Sequence, residues 1–192
     1  MPRPAQSGKY RILGRLGEGA TSEVFLGYDA FNGRNVAIKR LRAAALGDPI
    51  TDAHYSERFF AAEAALVGRL QHPNVAQIFD AVPDPVAPYL VMEYVQGQTL
   101  EHWLETPELP DPGEVVRLGV AVANAAHSLH QQNTVHLDLK PANVLICPDG
   151  HAVLLDFGLS YCALYPDLLA EQLRRAVGSP AWIAPWQVVG VR

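Results

Sequence analysis

The sequence predicts an α+β protein in two lobes, the first mainly β and the second mainly helical. Residues 9–41 contain runs of apolar and β-branched side chains separated by glycine-containing turns, a pattern typical of antiparallel strands. After Gly97 the apolar residues recur mostly at three- and four-residue spacing, which is typical of helices with one buried face. This change of pattern predicts a tail over residues 1–8, a first lobe over residues 9–95 and a second lobe over residues 96–192.

The first lobe is expected to consist of strands with one helix among them. Asn32-Gly33 tolerates positive φ and therefore marks a hairpin turn between two strands. Helical periodicity that starts at Thr51 or Asp52 and stops at His72-Pro73-Asn74 predicts the helix. The strands are predicted over Tyr10–Leu16, Glu23–Tyr28, Asn35–Leu41, Gln77–Ala81 and Tyr89–Val95.

The second lobe is predicted to begin with two helices and a hairpin. Thr99 is a suitable N-cap for a short helix, and a proline-rich linker then leads to a long one. Pro148-Asp149-Gly150 predicts a hairpin turn between strands over Val144–Cys147 and Ala152–Leu155. The buried stripe of the long helix is predicted to comprise Val115, Leu118, Val122, Ala125 and Leu129.

Composition and charge exclude several classes of protein. The 15 Lys and Arg residues against 20 Asp and Glu residues give a net charge of −5, which creates no field for attracting nucleic acid. Cys147 and Cys162 cannot form a disulfide framework, and the N-terminus lacks the apolar run of a secretory signal. No stretch reaches the roughly 18 apolar residues of a membrane span. We therefore expect a cytoplasmic protein with no nucleic-acid partner and no membrane span within these residues.

A glycine-rich segment, Gly17-Glu18-Gly19, lies between the first two predicted strands. In a strand-turn-strand context these glycines fit a flap whose backbone amides close over phosphates. Taken alone, a glycine-rich hairpin is more often purely structural. Lys39 follows Val36-Ala37-Ile38 at the end of a predicted strand, and on its own it would be an ordinary edge residue.

A stronger signal follows the long helix, where residues 136–143 read His-Leu-Asp-Leu-Lys-Pro-Ala-Asn and Asp156-Phe157-Gly158 follows the hairpin. Phosphoryl transfer needs a metal ion held by hard oxygens, cations on the phosphates and one carboxylate that aligns the attacking hydroxyl. Asp138, Asn143 and Asp156 supply the oxygens. Each of these residues is also common in turns and caps, but four motifs in one order favour a phosphotransfer site.

These motifs resemble those of the eukaryotic-type (Hanks-type) protein kinases, in particular bacterial members, from about Lys9 to Gln187. The resemblance implies a bilobal kinase fold. It also implies an enzyme that transfers the γ-phosphate of ATP to serine or threonine hydroxyls of a protein substrate. The implied cofactors are ATP and Mg²⁺, with Mn²⁺ as a substitute.

The resemblance also implies a role for each motif residue. Asp138 corresponds to the catalytic base and Lys140 to the γ-phosphate contact, while Lys39 would hold the α- and β-phosphates and pair with Glu63. The implied metal ligands are Asn143 and Asp156. The implied ATP-binding residues are Leu16, Gly17, Glu18, Gly19, Ala20, Thr21, Ser22, Val24, Ala37, Lys39, Met92, Glu93, Val95 and Leu145. Within this set, backbone groups of Glu93 and Val95 would bond adenine and Met92 would gate the pocket behind it. Val67, His136 and Phe157 would stack as an internal spine.

The substrate class follows from Lys140, which is typical of serine/threonine kinases. By the same resemblance Ser179 would bond Asp138 and Lys140 and shape the substrate groove. Two residues depart from the family pattern, since Leu137 stands in place of an arginine and Trp186 in place of a glutamate. Without that arginine, we expect phosphorylation of the segment between Gly158 and Gly178 to leave activity nearly unchanged.

Two alternatives stay open at this stage. The chain stops before the later helices of such domains, so we expect an incomplete helical lobe with an exposed apolar surface capable of self-association. The first alternative is therefore a nucleotide-binding pseudokinase or interaction fragment, inactive through truncation. The second, more remote, is a small-molecule phosphotransferase, which shares the His-x-Asp-x-x-x-x-Asn loop but is not expected to have Lys140 or the segment from Gly178 to Pro185.

Overall fold

The computed structural model describes residues 6–19, 22–41, 69–83, 88–107, 110–157, 161–162 and 179–188. These residues fall into two compact units, and the chain passes from the first to the second between Tyr94 and Val95. Residues 69–76, which precede that crossing, pack with the second unit. The predicted helix from Thr51 to His72 lies almost entirely outside the described residues.

The first unit contains a six-stranded antiparallel sheet in the order β1-β2-β3-β4-β6-β5. The five predicted strands of this lobe are confirmed, with ends that differ by a few residues, and the two-residue strand β1 is an addition. The strands are β1 Gln6–Ser7, β2 Tyr10–Glu18, β3 Ser22–Asp29, β4 Arg34–Leu41, β5 Ile78–Val82 and β6 Tyr89–Glu93.

The turn between β3 and β4 is closed by hydrogen bonds to the Asp29 carboxylate and by a glycine with positive φ. Asp29 is 3% exposed, and its Oδ1 accepts the backbone N–H groups of Phe31 and Asn32 at 3.1 and 3.2 Å. Gly33 has φ +64, a conformation that glycine adopts without steric strain. The predicted Asn-Gly hairpin is therefore confirmed, and it aligns β3 and β4 without a register shift.

One face of this sheet forms the core of the first unit. Alternate residues of a strand point to opposite faces, so Val36 and Ile38 of β4 share a face with Tyr10, Tyr89 and Val91. All five side chains are at most 4% exposed.

The second unit is built around one long helix and short strands. Its strands are β7 Gln98–Thr99, β8 Thr134–Val135, β9 Val144–Ile146, β10 Ala152–Leu154 and β11 Tyr161–Cys162. Its helices are α1 Leu100–Leu104, α2 Pro112–Gln131 and α3 Pro185–Val188, with a 3-10 turn over Pro141–Asn143. The strands pair as β10-β9-β7 and as β11-β8. The predicted cap is confirmed, because Thr99 Oγ1 accepts the N–H of His102 at 3.1 Å.

Helix α2 begins at a strong cap and packs on β8 and β10. Asp111 Oδ2 accepts the N–H of Glu114 at 3.0 Å, so one of the orphan donors of the first turn is satisfied. Leu118, Ala125 and Leu129 of the predicted stripe are buried. The prediction is wrong for Val115, which is 47% exposed because it lies in the first turn, ahead of the packed part of the helix.

No helix within the described ranges is long and apolar enough to cross a lipid bilayer.

The close packing of Gly27 against β4 predicts a coupled pair of substitutions. A Cβ added at Gly27 would lie 2.5 Å from Cδ1 of Ile38, so Gly27→Ala should lower the free energy of unfolding by about 1–3 kcal/mol. Ile38→Val removes that Cδ1 atom, and the double variant should therefore be more stable than the sum of the two single effects by about 1 kcal/mol. Urea unfolding of the four proteins measures this coupling.

Phe31→Ala is the control, because this side chain is 93% exposed and its loss should change stability by less than about 0.5 kcal/mol. Strictly additive effects of Gly27→Ala and Ile38→Val would contradict the packing argument.

Candidate active site

Several of the predicted ATP-binding residues lie on one face of the sheet in the first unit. Directly paired residues of an antiparallel sheet share a face, and the register pairs Val24 with Lys39 and Ala37 with Met92. Ala37 and Lys39 are two residues apart on β4, so all four side chains point to the same side. This is the face opposite the Ile38 core.

The glycine-rich hairpin is formed by the ends of β2 and β3. Its tip is closed by a hydrogen bond in which Gly19 N donates to Ser22 O at 2.8 Å. A Cβ added at Gly17 would meet nothing within 4 Å, so packing in the described part of the chain does not require a glycine there. Leu16 is 46% exposed at the same edge, and Ser22 is buried. Ala20 and Thr21 lie outside the described residues.

The predicted hinge residues fall on both sides of the division between the units. Met92 and Glu93 end β6 in the first unit, while Val95 begins the second. The N–H of Glu93 donates to the carbonyl of Gln77 at 2.8 Å. That N–H is therefore used inside the first unit. Leu145 lies in β9 of the second unit, opposite Val153.

The predicted catalytic aspartate is held by Lys140 and Ser179 in the second unit. Asp138 is 8% exposed, and its Oδ2 lies 2.8 Å from Lys140 Nζ. Its Oδ1 accepts the backbone N–H of Ser179 at 2.9 Å, and Lys140 Nζ also donates to Ser179 Oγ at 2.7 Å. The structure thus brings together three residues that the sequence predicted as one group.

Asn143 connects this group to the residues before Asp156. Its Nδ2 donates to the backbone carbonyl of Asp138 at 2.9 Å and to Asp138 Oδ2 at 3.2 Å. The backbone carbonyl of Asn143 accepts the N–H of Leu155 at 2.8 Å. Asp156, the residue after Leu155, is therefore anchored beside the loop. Asp156 has φ +58, which is uncommon for a residue other than glycine.

The donor set of Asn143 and Asp156 fits a hard divalent cation. The amide nitrogen of Asn143 is directed to Asp138, which leaves its Oδ1 as the atom that can face a metal ion. In the part of the chain that the structure describes, no cluster of three or more His, Cys, Asp or Glu side chains could hold a metal ion by itself. An ion here would need further oxygens from phosphate and water, which is the way Mg²⁺ binds at nucleotide sites.

The carboxyl group of Asp138 is held in its ionised form. Burial raises its pKa, but hydrogen bonds from Lys140 and Ser179 and the charge of Lys140 outweigh burial, so the pKa lies below its usual range. Asp138 is therefore a carboxylate at neutral pH.

His136 is held in its neutral form. It is 4% exposed, and burial lowers its pKa more than the carbonyl of Leu155 and the charges of Asp156 and Asp138 raise it. Its Nδ1 accepts the N–H of Asp138 at 3.3 Å, so Nε2 carries the proton and donates to the carbonyl of Leu155 at 3.0 Å. The ring also packs edge-on against Phe157, with centroids 5.5 Å apart, as the sequence predicted.

One contact in this region was not predicted. Leu137 has φ +62, and its carbonyl accepts a hydrogen bond from Gln187 Nε2 at 2.9 Å. The left-handed conformation costs a leucine about 1–2 kcal/mol. The only sequence signal for Gln187 is its place two residues after Pro185, because a glutamine at the third position of a helix can cap it.

Two predicted contacts involve residues outside the described ranges. The pairing of Lys39 with Glu63 and the stacking of Val67 on the His136 and Phe157 pair stay predictions.

Comparison with known proteins identifies similar sequences. A family model described as the protein kinase domain matches residues 10–190. A probable serine/threonine-protein kinase of Streptomyces coelicolor is 31% identical over 187 residues, covering 95% of this chain and 27% of that protein. Serine/threonine-protein kinase PrkC of Bacillus subtilis is 34% identical over 184 residues, covering 96% of this chain and 27% of its own length.

Serine/threonine-protein kinase Pkn1 of Myxococcus xanthus is 36% identical over 189 residues, covering 95% of this chain and 26% of its own. The chain thus spans about a quarter of the length of the curated relatives it matches. All three relatives are bacterial, which confirms the predicted resemblance. Because the family model covers nearly the whole chain, this protein belongs to the protein kinase domain family and has the α+β fold of a two-lobed kinase domain.

Proposed function

We propose that this chain is the catalytic domain of a serine/threonine protein kinase, which transfers the γ-phosphoryl group of ATP to a serine or threonine hydroxyl of a protein. The observation that carries the proposal is the contact of Lys140 Nζ with both Asp138 Oδ2 and Ser179 Oγ, at 2.8 and 2.7 Å. This arrangement places a carboxylate and a cation at one point, beside a segment, residues 179–188, that a protein substrate can approach.

Asp138 acts as the acceptor of the substrate proton. In the reaction the hydroxyl oxygen forms a bond to the γ-phosphorus, the bond between that phosphorus and the β–γ bridging oxygen breaks, and ADP leaves. The hydroxyl proton passes to the Asp138 carboxylate. A carboxylate whose pKa is lowered is ionised before the reaction, so it orients the hydroxyl and takes the proton late.

Lys140 and Ser179 position the reacting groups. The ammonium group of Lys140 neutralises the carboxylate of Asp138 and offers positive charge to the phosphoryl group as it moves. The hydroxyl of Ser179 fixes this ammonium group, and its backbone N–H fixes the other oxygen of Asp138. The side chain of residue 179 therefore acts through Lys140.

Nucleotide and metal would be held by the residues to which the family resemblance gives these roles. Bound Mg²⁺, or Mn²⁺, would supply positive charge to the β- and γ-phosphates. Asn143 and Asp156 would provide its protein oxygens. Lys39 would hold the α- and β-phosphates, supported by Glu63 as its ion-pair partner, and the backbone of the Gly17–Ser22 hairpin would cover them.

Location is proposed from the sequence, and assembly from the exposed apolar surface. We propose a cytoplasmic protein, because Cys147 and Cys162 cannot form the disulfide framework of a secreted protein. Exposed apolar side chains at Leu104, Val116 and Val120 support the predicted capacity for self-association.

The catalytic role of Asp138 is tested by Asp138→Asn. The amide cannot accept the substrate proton, so transfer of ³²P from ATP to a basic protein should fall by at least about 100-fold. Nucleotide should still raise the melting temperature, because the metal-binding oxygens are unchanged. Asp149→Asn, at an exposed hairpin turn, is the matched control and should transfer phosphate at the wild-type rate.

If wild type binds nucleotide without transferring phosphate, the chain is a pseudokinase. If it phosphorylates small hydroxylated molecules instead of protein, it is a small-molecule phosphotransferase.

The hydroxyl of Ser179 is tested by comparing alanine with threonine. Ser179→Ala removes the acceptor for Lys140 but keeps the backbone N–H to Asp138, and kcat should fall about tenfold through loss of one charged hydrogen bond. Ser179→Thr keeps the hydroxyl and should retain most of the activity. Equal losses in both variants would mean that bulk at this position matters rather than the hydrogen bond.

The neutral state of His136 predicts a pH dependence of stability. Its pKa is lowered in the folded protein and near 6.5 in the unfolded chain, so below about pH 6.5 the unfolded chain binds a proton that the native state does not. The stabilisation that comes from neutral His136 should therefore be fully present at about pH 7.5. As the pH drops to about 5.5, the free energy of unfolding should fall by up to about 1.4 kcal/mol per pH unit from this group.

His136→Gln should reduce this slope, as measured by urea unfolding at both pH values. His130→Gln, at an exposed site on α2, is the control and should keep the wild-type slope. A slope that is the same in all three proteins would contradict the assignment.

A further inference from the structure

The peptide group that joins Leu137 to Asp138 is held at both ends. Its N–H, which belongs to Asp138, donates to His136 Nδ1 at 3.3 Å. Its carbonyl, which belongs to Leu137, accepts from Gln187 Nε2 at 2.9 Å. Because the side chain of Asp138 extends from the Cα at the end of this peptide plane, rotation of the plane would move the carboxylate.

The backbone before this peptide does not favour the observed orientation. Leu137 has φ +62, in the left-handed region that residues other than glycine, asparagine and aspartate rarely occupy. Such a conformation persists only where surrounding contacts enforce it. The bond from Gln187 is a contact of this kind, and it comes from a residue fifty positions later in the chain.

Gln187 is itself held in one orientation. Its Oε1 accepts the backbone N–H of Ala184 at 2.9 Å, so its amino group is the end that faces Leu137. The contact also closes the first turn of α3, where Pro185 sets the backbone. The glutamine therefore connects the start of α3 to the loop that carries Asp138.

We infer that Gln187 is a positioning residue for phosphoryl transfer, which fixes the orientation of the Asp138 carboxylate through its bond to the Leu137 carbonyl. The inference rests on the proposed function, since it assigns Gln187 an effect on the reacting carboxylate. Gln187 touches neither substrate nor nucleotide in this role. It acts on kcat through the backbone of Leu137.

Gln187→Glu separates this role from helix capping. The carboxylate keeps an oxygen for the N–H of Ala184 but presents a second oxygen, in place of a donor, to the carbonyl of Leu137. We expect kcat to fall about tenfold, because small displacements of a reacting group have large effects on rate, while KM for ATP and for protein substrate stays within about twofold. The melting temperature should stay within a few degrees of wild type.

A second measurement does not depend on activity. Hydrogen exchange of the Asp138 amide should become about tenfold faster in Gln187→Glu, because the peptide group loses one of its two bonds. Gln131→Glu makes the same chemical change at an exposed position of α2 and should alter neither kcat nor this exchange rate.

Leu137→Asn provides a rescue. Asparagine adopts positive φ more readily than leucine, so the loop should hold its conformation with less help from Gln187. The kcat of the double variant of Leu137→Asn and Gln187→Glu should be about threefold higher than that of Gln187→Glu, a partial recovery of the tenfold loss.

The inference would be overturned if Gln187→Glu kept the wild-type kcat and the wild-type exchange rate of the Asp138 amide. It would also be overturned if the variant changed KM alone. If wild type transfers no phosphate, the proposed function fails, and faster Asp138 exchange in Gln187→Glu still supports the role of Gln187 in holding the loop. If Gln187→Glu shows no cooperative unfolding, Gln187→Asn, whose amide is one methylene shorter, takes its place with the same expected changes in kcat and exchange.

Discussion

The charged contact between Asp138 and Lys140 organises the second unit around the candidate site. A carboxylate that is 8% exposed needs a counter-charge and hydrogen bonds to remain ionised, and Lys140, Ser179 and Asn143 provide them. Each partner comes from a different local structure: an extended residue before the 3-10 turn, the segment before α3 and the 3-10 turn itself. The buried charge of Asp138 therefore connects these pieces of chain, and its removal would leave Lys140 without a counter-charge.

Backbone strain is concentrated at the same place. Leu137 and Asp156 have φ +62 and +58, a conformation that costs a leucine about 1–2 kcal/mol and that an aspartate adopts more readily. Both residues lie next to groups that must be directed toward the candidate site. Both are also flanked by hydrogen bonds, which offset the cost of the left-handed backbone conformation. His136 contributes to both regions, since it bonds the N–H of Asp138 and the carbonyl of Leu155. Backbone strain therefore occurs where the orientation of a side chain matters. The hydrogen bonds of the buried, neutral His136 ring help to offset its cost.

The sequence predicted what depends on local patterns and missed what depends on contacts between distant residues. Alternation and turn residues located the strands of the first unit, and the resemblance grouped Asp138 with Ser179 correctly. Two-residue strands such as β1 and β8 are too short to leave a pattern. Helical periodicity defined a stripe on α2 but not where its packing begins, which is why Val115 was misassigned. The bond from Gln187 to Leu137 has no periodic signature, because it joins a side chain to a backbone carbonyl across fifty residues.

Leu137 stands where the family resemblance predicts an arginine, and the two residues would hold the loop by different forces. An arginine at this position would bind a phosphorylated segment through charge, so its contribution would depend on phosphorylation. Around Leu137 the described contacts are instead neutral hydrogen bonds, from Gln187 to the carbonyl and from the Asp138 amide to His136. Neutral bonds are present whenever the unit is folded and are little affected by salt. These bonds connect the loop that carries Asp138 to the segment around α3, and they agree with the expectation that phosphorylation leaves activity nearly unchanged.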